Sequence, residues 1–312
     1  MDGIHLSKRI GIVGGGITGL ISAYFLSLEG HKVDLYEKKT LLSETSSKTT
    51  KLIHGGIRYL ENLQFHEVKN GINDRKWWLE NFPDETKLQE IIILSKRKFS
   101  SEILKFFVGI KIYETFAGRS NIKTGRLYKQ EDLLSFGIKN DIAAGISFFD
   151  GLMQESVGEE IIKRCKSNGV NFYENHEINS IRSEGFIEER QYEKIIIATG
   201  PWISSFLKQN KIDTNKTIDY IKGSHLVIKR RIKNGLMFRD RKKQRYIFAL
   251  PYKDNLLLGT TEQRVSTPED KQVLDSEVNY LLESINIYID RPISKDIYLL
   301  FHTKIIFFLE QL

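Results

Sequence analysis

The stretch 46–61, SSKTTKLIHGGIRYLE, concentrates residue types that suit chemistry. It combines serine and threonine hydroxyls with two lysines, His54, a glycine pair and Arg58 beside Tyr59. Lysine and arginine attract anions, and histidine can exchange a proton near neutral pH. The glycines let the backbone approach a ligand closely. The stretch therefore predicts a loop that faces both a cofactor and an anionic substrate. The alternative is a polar loop that leads into a solvated helix.

A glycine-rich turn lies upstream of this stretch. Residues 14–19, GGGITG, match the pattern G-x-G-x-x-G. The sequence predicts a strand at 10–13, a helix at 17–28 and a second strand at 32–36 that ends at Glu37. The glycines allow a tight turn, close approach to a pyrophosphate and close packing of helix on strand. A carboxylate after the second strand can accept hydrogen bonds from a ribose. This unit predicts dinucleotide binding, and the alternative is a glycine turn without a ligand.

The glycine motif by itself does not separate FAD from NAD. A second segment helps, because an apolar strand at 194–198 leads directly into Thr199 and Gly200. A strand that ends in Ala-Thr-Gly is similar to the one that closes against the dinucleotide in flavoproteins of the two-dinucleotide-binding type. Its alternative is any buried strand before a glycine turn. The two segments together favour FAD.

The pattern changes after residue 220, where strands at 223–229, 245–250 and 255–260 follow one another without helices. Short polar turns between strands favour an antiparallel sheet. Because no repeat or low-complexity linker separates the two patterns, we predict an α/β fold with interleaved domains. A two-dinucleotide-binding (Rossmann-like) FAD domain would interleave with an antiparallel-sheet α+β substrate domain. The predicted bounds are 1–85 and 145–218 for the FAD domain, 86–144 and 219–296 for the substrate domain, and 297–312 for an atypical tail.

The composition is that of a globular protein with excess positive charge. Hydrophobic residues make up 40% and charged residues 28% of the 312 residues, which argues against disorder. The net charge of +7 indicates anionic small molecules or an anionic membrane surface rather than nucleic acid, because the basic residues are spread along the chain. Cys165 is the single cysteine, so we expect a reducing compartment and a packing role.

The first residues, MDGIHLSKRIGIVGGG, lack the apolar core and small-residue cleavage site that are typical of a signal peptide. No apolar run approaches the ~20 residues of a membrane-spanning helix. We therefore expect a cytoplasmic protein whose contact with the inner face of the cell membrane would be peripheral.

Three segments together resemble the FAD-dependent glycerol-3-phosphate dehydrogenases, within the wider group of D-amino-acid-oxidase-like flavoproteins. They are GGGITG, then SSKTTKLIHGGIRYLE, then IKGSHLVI at 221–228 with IFALPYKDNLLLGTTE at 247–262. ATGPW at 198–202 lies between them in the expected order. The resemblance extends from about residue 10 to about residue 296. KLIHGGIRYLE is its most specific part, since the wider group shares only the nucleotide-binding elements.

The resemblance implies oxidation of sn-glycerol 3-phosphate to dihydroxyacetone phosphate by hydride transfer to FAD, with electrons passed to a quinone or, in oxidase relatives, to oxygen. Arg58 and Tyr59 would hold the phosphate, and His225 would accept the proton of the substrate hydroxyl. Lys222 would serve the phosphate or only the surface. The alternatives are a surface arginine, a packing tyrosine and a structural histidine. The residues predicted to bind FAD are Gly14, Gly15, Gly16, Thr18, Gly19, Glu37, Lys38, Ser46, Ser47, Lys51, His54, Gly55, Thr199 and Gly200.

The sequence departs from the family pattern after residue 296. The family would continue with a Ser/Ala-Gly-x-Arg-Pro-Leu segment, whose arginine contributes to phosphate binding, and later with a Gly-Gly-Lys stretch. This sequence instead ends YLLFHTKIIFFLEQL. We therefore expect a truncated or frame-shifted chain that binds FAD weakly and turns over slowly. We also expect a missing central strand to leave the edges of its neighbours exposed.

Two other interpretations stay open. A related FAD oxidoreductase could act on a 2-hydroxy acid or an amino acid, although Arg58, Tyr59 and the KGSH motif disfavour this. The chain could also be an inactive truncated homologue whose tail binds a partner or membrane. The remaining histidines show no metal-ligand spacing, so the sequence predicts no metal site.

Overall fold

The computed structural model describes residues 6–57, 64–97, 101–117, 123–214, 218–240, 245–295 and 298–309. The strands in these ranges are β1 (Arg9–Val13), β2 (Lys32–Tyr36), β3 (Leu52–Ile53), β4 (Thr86–Ser95), β5 (Leu127–Lys129), β6 (Ala144–Met153), β7 (Asn171–Tyr173), β8 (Ile181–Arg182), β9 (Phe186–Ile187), β10 (Arg190–Gln191), β11 (Lys194–Ile197), β12 (Ile218–Ile228), β13 (Gly235–Arg239), β14 (Tyr246–Tyr252), β15 (Asn255–Gly259), β16 (Gln263–Val265) and β17 (Tyr298–Leu309). The helices are α1 (Ile17–Leu28), α2 (Phe65–Asn81), α3 (Ser101–Ala117), α4 (Gln130–Ser135), α5 (Val157–Ser167), α6 (Ile203–Gln209) and α7 (Asp275–Asn286), and short 3₁₀ turns span Thr45–Lys48 and Gly200–Trp202.

A parallel sheet with the strand order β11-β1-β2-β7 carries the glycine-rich turn. All three of its strand pairs are parallel. Ile12 of β1, Leu35 of β2 and Leu20 of α1 are fully buried, because a helix that crosses over a parallel sheet covers its face. The observed bounds of β1, α1 and β2 confirm the predicted strand, helix and strand.

The second sheet is large and mixed. Within the described residues it has ten strands, whose main path runs β16-β12-β15-β14-β13-β4-β6-β3, with β17 beside β12 and β5 beside β6. The strands β12, β15, β14 and β13 pair antiparallel, as predicted for the region after residue 220. β13 pairs in parallel with β4, which joins this region to strands from earlier in the chain.

This sheet draws strands from both predicted domains. β3 and β6 pair with each other, and β6 pairs with β4 along its full length. The predicted bounds assign β3 and all but the first residue of β6 to the FAD domain, and β4 to the substrate domain. The division into domains stays a prediction, and the SSKTTKLIHGG segment contributes β3 to the large sheet.

The apolar run on β4 is buried on both faces of the large sheet. Ile92 and Leu94 pack in a cluster that includes residues of α7. Ile91 and Ile93 point the other way and pack with residues of α2 and α3. Successive side chains of a strand point to opposite faces, so a continuous apolar run requires layers on both sides. The large sheet is therefore the middle layer between α7 on one side and α2 with α3 on the other.

The tail at 298–309 forms a strand. β17 pairs antiparallel with β12 over 218–228, with one register shift between Val227 and Ile228. The edge N–H and C=O groups of β12 are therefore paired with those of β17. The expectation that a missing central strand leaves the edges of its neighbours exposed stays a prediction.

Cys165 is a packing residue of α5. It is fully buried, and its thiol lies 3.6 Å from the carbonyl oxygen of Leu20 on α1. Burial raises the pKa of this thiol to about 11, so it stays protonated near neutral pH.

We expect no reaction of the native chain with a thiol reagent such as DTNB at pH 8, and full reaction after unfolding in guanidinium chloride. Stoichiometric labelling of the folded chain within minutes would contradict this burial.

Candidate functional site

The glycine turn between β1 and α1 depends on two glycines. Gly14 has φ = 112°, and a Cβ at this position would lie 2.3 Å from the carbonyl oxygen of Ala198. A Cβ on Gly19 would lie 1.9 Å from the carbonyl oxygen of Gly14. The turn therefore closes tightly against the residue that follows β11 and against the first turn of α1. A turn of this kind places the N-terminus of the helix, with its dipole, where it favours an anion.

A cavity of about 540 Å³ opens beside this turn. It lies between the ends of β1, β2 and β11 and the segment around the 3₁₀ turn Thr45–Lys48. Seven of the residues predicted to bind the cofactor line it: Gly14, Gly16, Glu37, Lys38, Ser46, Thr199 and Gly200. The carboxyl ends of parallel strands are where open α/β sheets bind their ligands.

Polar groups around the cavity suit a dinucleotide. The hydroxyl of Thr199 is buried and has no hydrogen-bond partner among the described residues, so it can bond to a ligand. Ser46 Oγ accepts the N–H of Ile17, which caps the first turn of α1. The carboxylate of Glu37 accepts the N–H of Gly15 at 2.7 Å and that of Lys39 at 2.8 Å. The cavity volume, the glycine turn and the unpaired hydroxyl together fit the nucleotide part of FAD.

Three chain segments are tied together at the rim of the cavity. Glu44 accepts a hydrogen bond from Lys39 at 2.6 Å and pairs with Lys271. Burial raises the pKa of Glu44, but the hydrogen bonds from Lys271 and Lys39 outweigh it and lower the pKa below its ordinary value. The Trp202 indole donates to Glu269, which also lines the cavity. Charges of both signs thus surround the opening, and most of them are paired.

Other predicted cofactor residues are not among those that line this cavity. A Cβ on Gly15 would meet Leu41 at 2.6 Å, and Thr18 is exposed on α1. Ser47 bonds to its own local backbone, and its carbonyl accepts the Lys51 ammonium at 2.9 Å. Burial lowers the pKa of Lys51.

The residues at the end of the SSKTTKLIHGG segment differ in burial from one another, and none of them lines the cavity. His54 is exposed, whereas Gly55 is buried. The predicted phosphate-binding residues Arg58 and Tyr59 lie outside the described residues.

Gly55 belongs to a buried polar cluster that the sequence did not predict. Its N–H donates to Asp150 Oδ1 at 3.0 Å, and the same oxygen accepts Arg75 Nη1 at 3.0 Å and Tyr113 OH at 2.6 Å. Burial, and then the nearby charge of Asp150, raise the pKa of Tyr113 well above its usual value. A sequence signal did exist, because Arg75 continues the buried helical stripe of Val68 and Ile72. A charged residue on a buried stripe needs a partner.

His225 is fully buried in β12, next to the beginning of the same segment. Its Nε2 lies 3.1 Å from the hydroxyl oxygen of Thr50. A Cβ on Gly259 would lie 2.4 Å from His225 Cδ2, so only glycine fits against the ring at that position of β15. Two motifs that are 175 residues apart in sequence thus meet at one side-chain contact. Thr50 was not among the predicted site residues.

A second buried network lies beside His225 on β12. Lys222 is 1% exposed and its ammonium lies 2.9 Å from Glu277 Oε2, which excludes the surface role considered for it. Glu277 Oε1 accepts the hydroxyls of Ser224 and Thr261. The pKa of Glu277 lies below its ordinary value. Burial acts to raise this pKa, but it is outweighed by hydrogen bonds from Thr261, the backbone N–H of Leu274, Lys222 and Ser224. The network anchors the KGSH strand to α7.

No group of three or more His, Cys, Asp or Glu side chains that could hold a metal ion occurs in the ranges that the structure describes.

The chain is similar in sequence to glycerol-3-phosphate dehydrogenases. It is 27% identical to the glycerol-3-phosphate dehydrogenase of Pseudomonas tolaasii, over 92% of this chain and 59% of that protein. It is 29% identical to the aerobic glycerol-3-phosphate dehydrogenase of Staphylococcus epidermidis, over 88% of this chain and 55% of that protein. The chain therefore spans a little over half the length of these curated relatives.

Solved structures share the fold. The glycerol-3-phosphate dehydrogenase of Bacillus halodurans, complexed with FAD, matches with a TM-score of 0.75 at 18% identity, over 98% of this chain and 58% of that chain. The L-alpha-glycerophosphate oxidase of Mycoplasma pneumoniae, with FAD bound, matches with a TM-score of 0.76 at 18% identity, over 96% of this chain and 83% of that chain. This confirms the predicted fold class.

The family model for FAD dependent oxidoreductases (DAO) matches residues 9–298, from the first residue of β1 to the start of β17. This range includes the glycine turn, the cavity, the Thr50–His225 contact and every strand of the large sheet except most of β17. The chain therefore belongs to the DAO family of FAD-dependent oxidoreductases, and its cofactor is FAD.

Proposed function

We propose that this chain oxidises sn-glycerol 3-phosphate to dihydroxyacetone phosphate with FAD as the hydride acceptor. The observation that carries the proposal is the contact between Thr50 and His225. It brings Thr50, which directly precedes KLIHGGIRYLE, the most specific part of the resemblance, against the KGSH motif. The names of the relatives in Pseudomonas tolaasii and Staphylococcus epidermidis support the same substrate.

The reaction removes a hydride from carbon and a proton from the hydroxyl of a secondary alcohol. FAD supplies the hydride acceptor when it is bound. In this proposal His225 accepts the hydroxyl proton at Nδ1, since Nε2 is hydrogen-bonded to Thr50, and a neutral imidazole is a suitable base near neutral pH. Arg58 would bind the substrate phosphate through charge-assisted hydrogen bonds, and Tyr59 would add a neutral donor.

The cofactor would bind with its nucleotide part in the cavity beside the glycine turn. Gly14, Gly16 and the N-terminus of α1 would face the pyrophosphate, and Thr199 would give its unpaired hydroxyl to the ligand. Ser46, which lines the same cavity, would also face the cofactor. In the predicted domain division, the FAD domain comprises 1–85 and 145–218 and the substrate domain comprises 86–144 and 219–296.

A quinone is the electron acceptor that we propose, reached by peripheral association with an anionic membrane. The net charge of +7 supports attraction to anionic lipid. Among the helices that the structure describes, none is long and apolar enough to cross a membrane.

The test is anaerobic reduction of bound flavin. The chain is loaded with excess FAD, mixed with glycerol 3-phosphate, and followed by flavin absorbance in a stopped-flow instrument. We expect the absorbance to bleach, and we expect His225→Gln to slow bleaching by roughly 10²- to 10⁴-fold, the contribution of a general base. His31→Gln is the matched control, because His31 lies just before β2, at the opposite end of α1 from the glycine turn, and its Nε2 lies 3.8 Å from Glu29 Oε2.

Glycine, L-proline and lactate serve as competing substrates in the same assay. Bleaching by one of these but not by glycerol 3-phosphate would reject the proposed substrate in favour of an amino acid or a 2-hydroxy acid. Absence of bleaching with every compound, in a chain that retains FAD, would reject the proposed oxidation altogether.

A further inference from the structure

The side chain of His225 is held from two sides. Gly259 lies against one edge of the ring, where a Cβ would approach within 2.4 Å of Cδ2 and 3.1 Å of Nε2. The hydroxyl of Thr50 lies 3.1 Å from Nε2. The ring is 0% exposed, so water cannot replace the hydroxyl without a rearrangement.

The backbone on each side of this contact is also fixed. On the His225 side, the N–H of Ser224 donates to Thr261 Oγ1 at 2.8 Å, and Ser224 Oγ donates to Glu277. On the Thr50 side, β3 begins two residues later and pairs with β6. The backbone on each side is therefore fixed by its own hydrogen bonds. The contact between Thr50 and His225 depends on both sets of bonds.

The contact joins groups with complementary chemistry. A threonine hydroxyl can donate to a bare ring nitrogen or accept from a protonated one. The branched Cβ of threonine restricts its χ1, so the hydroxyl is presented in few directions. In a buried site, a hydrogen bond to a charged group stabilises more than one to a neutral group. The hydroxyl therefore stabilises the imidazolium more than the neutral imidazole.

We propose that Thr50 is a positioning residue for His225: its hydroxyl fixes the orientation of the imidazole and stabilises the ring after it takes a proton. This inference rests on the proposed function for its effect on turnover. The hydrogen bond itself concerns only residues of this chain and can be measured without substrate.

The first experiment measures the ring nitrogens of His225 by ¹⁵N NMR in wild-type chain, Thr50→Val and Thr50→Ser, without substrate. Valine has the shape of threonine without the hydroxyl, and serine keeps the hydroxyl. We expect the Nε2 signal of His225 to move in Thr50→Val and to stay near its wild-type position in Thr50→Ser. Assignment comes from the signal that is lost in His225→Gln. Unchanged Nε2 signals in Thr50→Val would overturn the positioning role, whatever the substrate proves to be.

The second experiment measures flavin reduction by glycerol 3-phosphate in the same variants loaded with excess FAD. We expect Thr50→Val to lower the limiting rate by about tenfold, the effect of one hydrogen bond to a charged group, with KM nearly unchanged. Thr50→Ser should restore most of the rate. A loss confined to KM, or a loss that serine does not restore, would contradict positioning of the base.

Thr49→Val is the matched control. Thr49 is the neighbouring threonine, and its hydroxyl accepts the N–H of Lys51 rather than touching His225. We expect it to leave the His225 signals and the limiting rate near wild type. If Thr49→Val reproduces the effects of Thr50→Val, the effect belongs to the whole segment and the inference fails. If wild-type chain is not reduced by glycerol 3-phosphate, the proposed function fails while the NMR comparison still tests Thr50.

Discussion

Replacement of Asp150 by alanine is expected to lower the free energy of unfolding by about 3–5 kcal/mol, the usual cost of breaking a buried ion pair by removing one partner. Asp150 is 2% exposed and Arg75 is 3% exposed. One carboxylate oxygen of Asp150 accepts hydrogen bonds from Arg75, Tyr113 and the N–H of Gly55. Without it, a guanidinium and a backbone N–H lose an acceptor in a site that water does not reach. The measurement is guanidinium chloride denaturation followed by circular dichroism.

Asp141→Ala is the matched control, because it removes an aspartate from an ion pair at the surface. Asp141 pairs with Lys96, and its side chain is 55% exposed. A surface pair contributes about 0–1 kcal/mol, so this variant should unfold near the wild-type denaturant concentration. If both variants lost the same free energy of unfolding, the buried ion pair of Asp150 would contribute no more to stability than the surface pair of Asp141, which would contradict the prediction. Since domains are stable by roughly 5–15 kcal/mol, a loss of soluble Asp150→Ala protein would agree with the expected size.

Gly14→Ala is expected to weaken FAD binding by about 5- to 150-fold, which corresponds to the ~1–3 kcal/mol of a strained backbone conformation. Gly14 has φ = 112°, and its added Cβ would lie 2.3 Å from the Ala198 carbonyl oxygen. The turn must shift to relieve this contact, and the shift moves the N–H groups that would face the pyrophosphate. The dissociation constant is measured by titrating FAD and following the quenching of flavin fluorescence.

Gly30→Ala separates backbone strain from the loss of the site. Gly30 also has a positive φ, 80°, but a Cβ there meets nothing within 4 Å. It ends α1 at the far end of the helix from the glycine turn. We expect a small loss of stability and an unchanged dissociation constant for FAD. Wild-type affinity in Gly14→Ala, or equal weakening in Gly30→Ala, would contradict the role assigned to the glycine turn.

The nucleotide-binding unit could be predicted because its signals are local. The apolar run of β1, the glycines, the stripe of α1 and the second strand lie within about thirty residues. Each element is defined by neighbours that are close in sequence, so the observed bounds agree with the predicted ones. Seven of the predicted cofactor residues line the cavity, and all of them except Ser46 come shortly after the ends of β1, β2 and β11, where the direction of the chain fixes the position.

Elements whose ends depend on distant partners were harder to predict. Helix α3 extends to residue 117, well past Phe106. Ile110 and Tyr113 extend the buried stripe that includes Phe106, and they are buried against the large sheet. The polar hydroxyl of Tyr113 can lie on this buried stripe because it forms hydrogen bonds with Arg75 and Asp150. The burial of such a polar side chain can be predicted only after its partner residues are known.

The sequence by itself determined the family, the cofactor and the α/β class, because glycine turns, strand periodicity and the motifs SSKTTKLIHGG and KGSH are written in consecutive residues. The tertiary structure decided which polar groups meet. It paired Thr50 with His225, Asp150 with Arg75, and Lys222 with Glu277, and it placed the tail as β17 against β12. Buried polar groups need partners, but any of many residues can supply one. Only the packing of both sheets and their helices selects which residue does so.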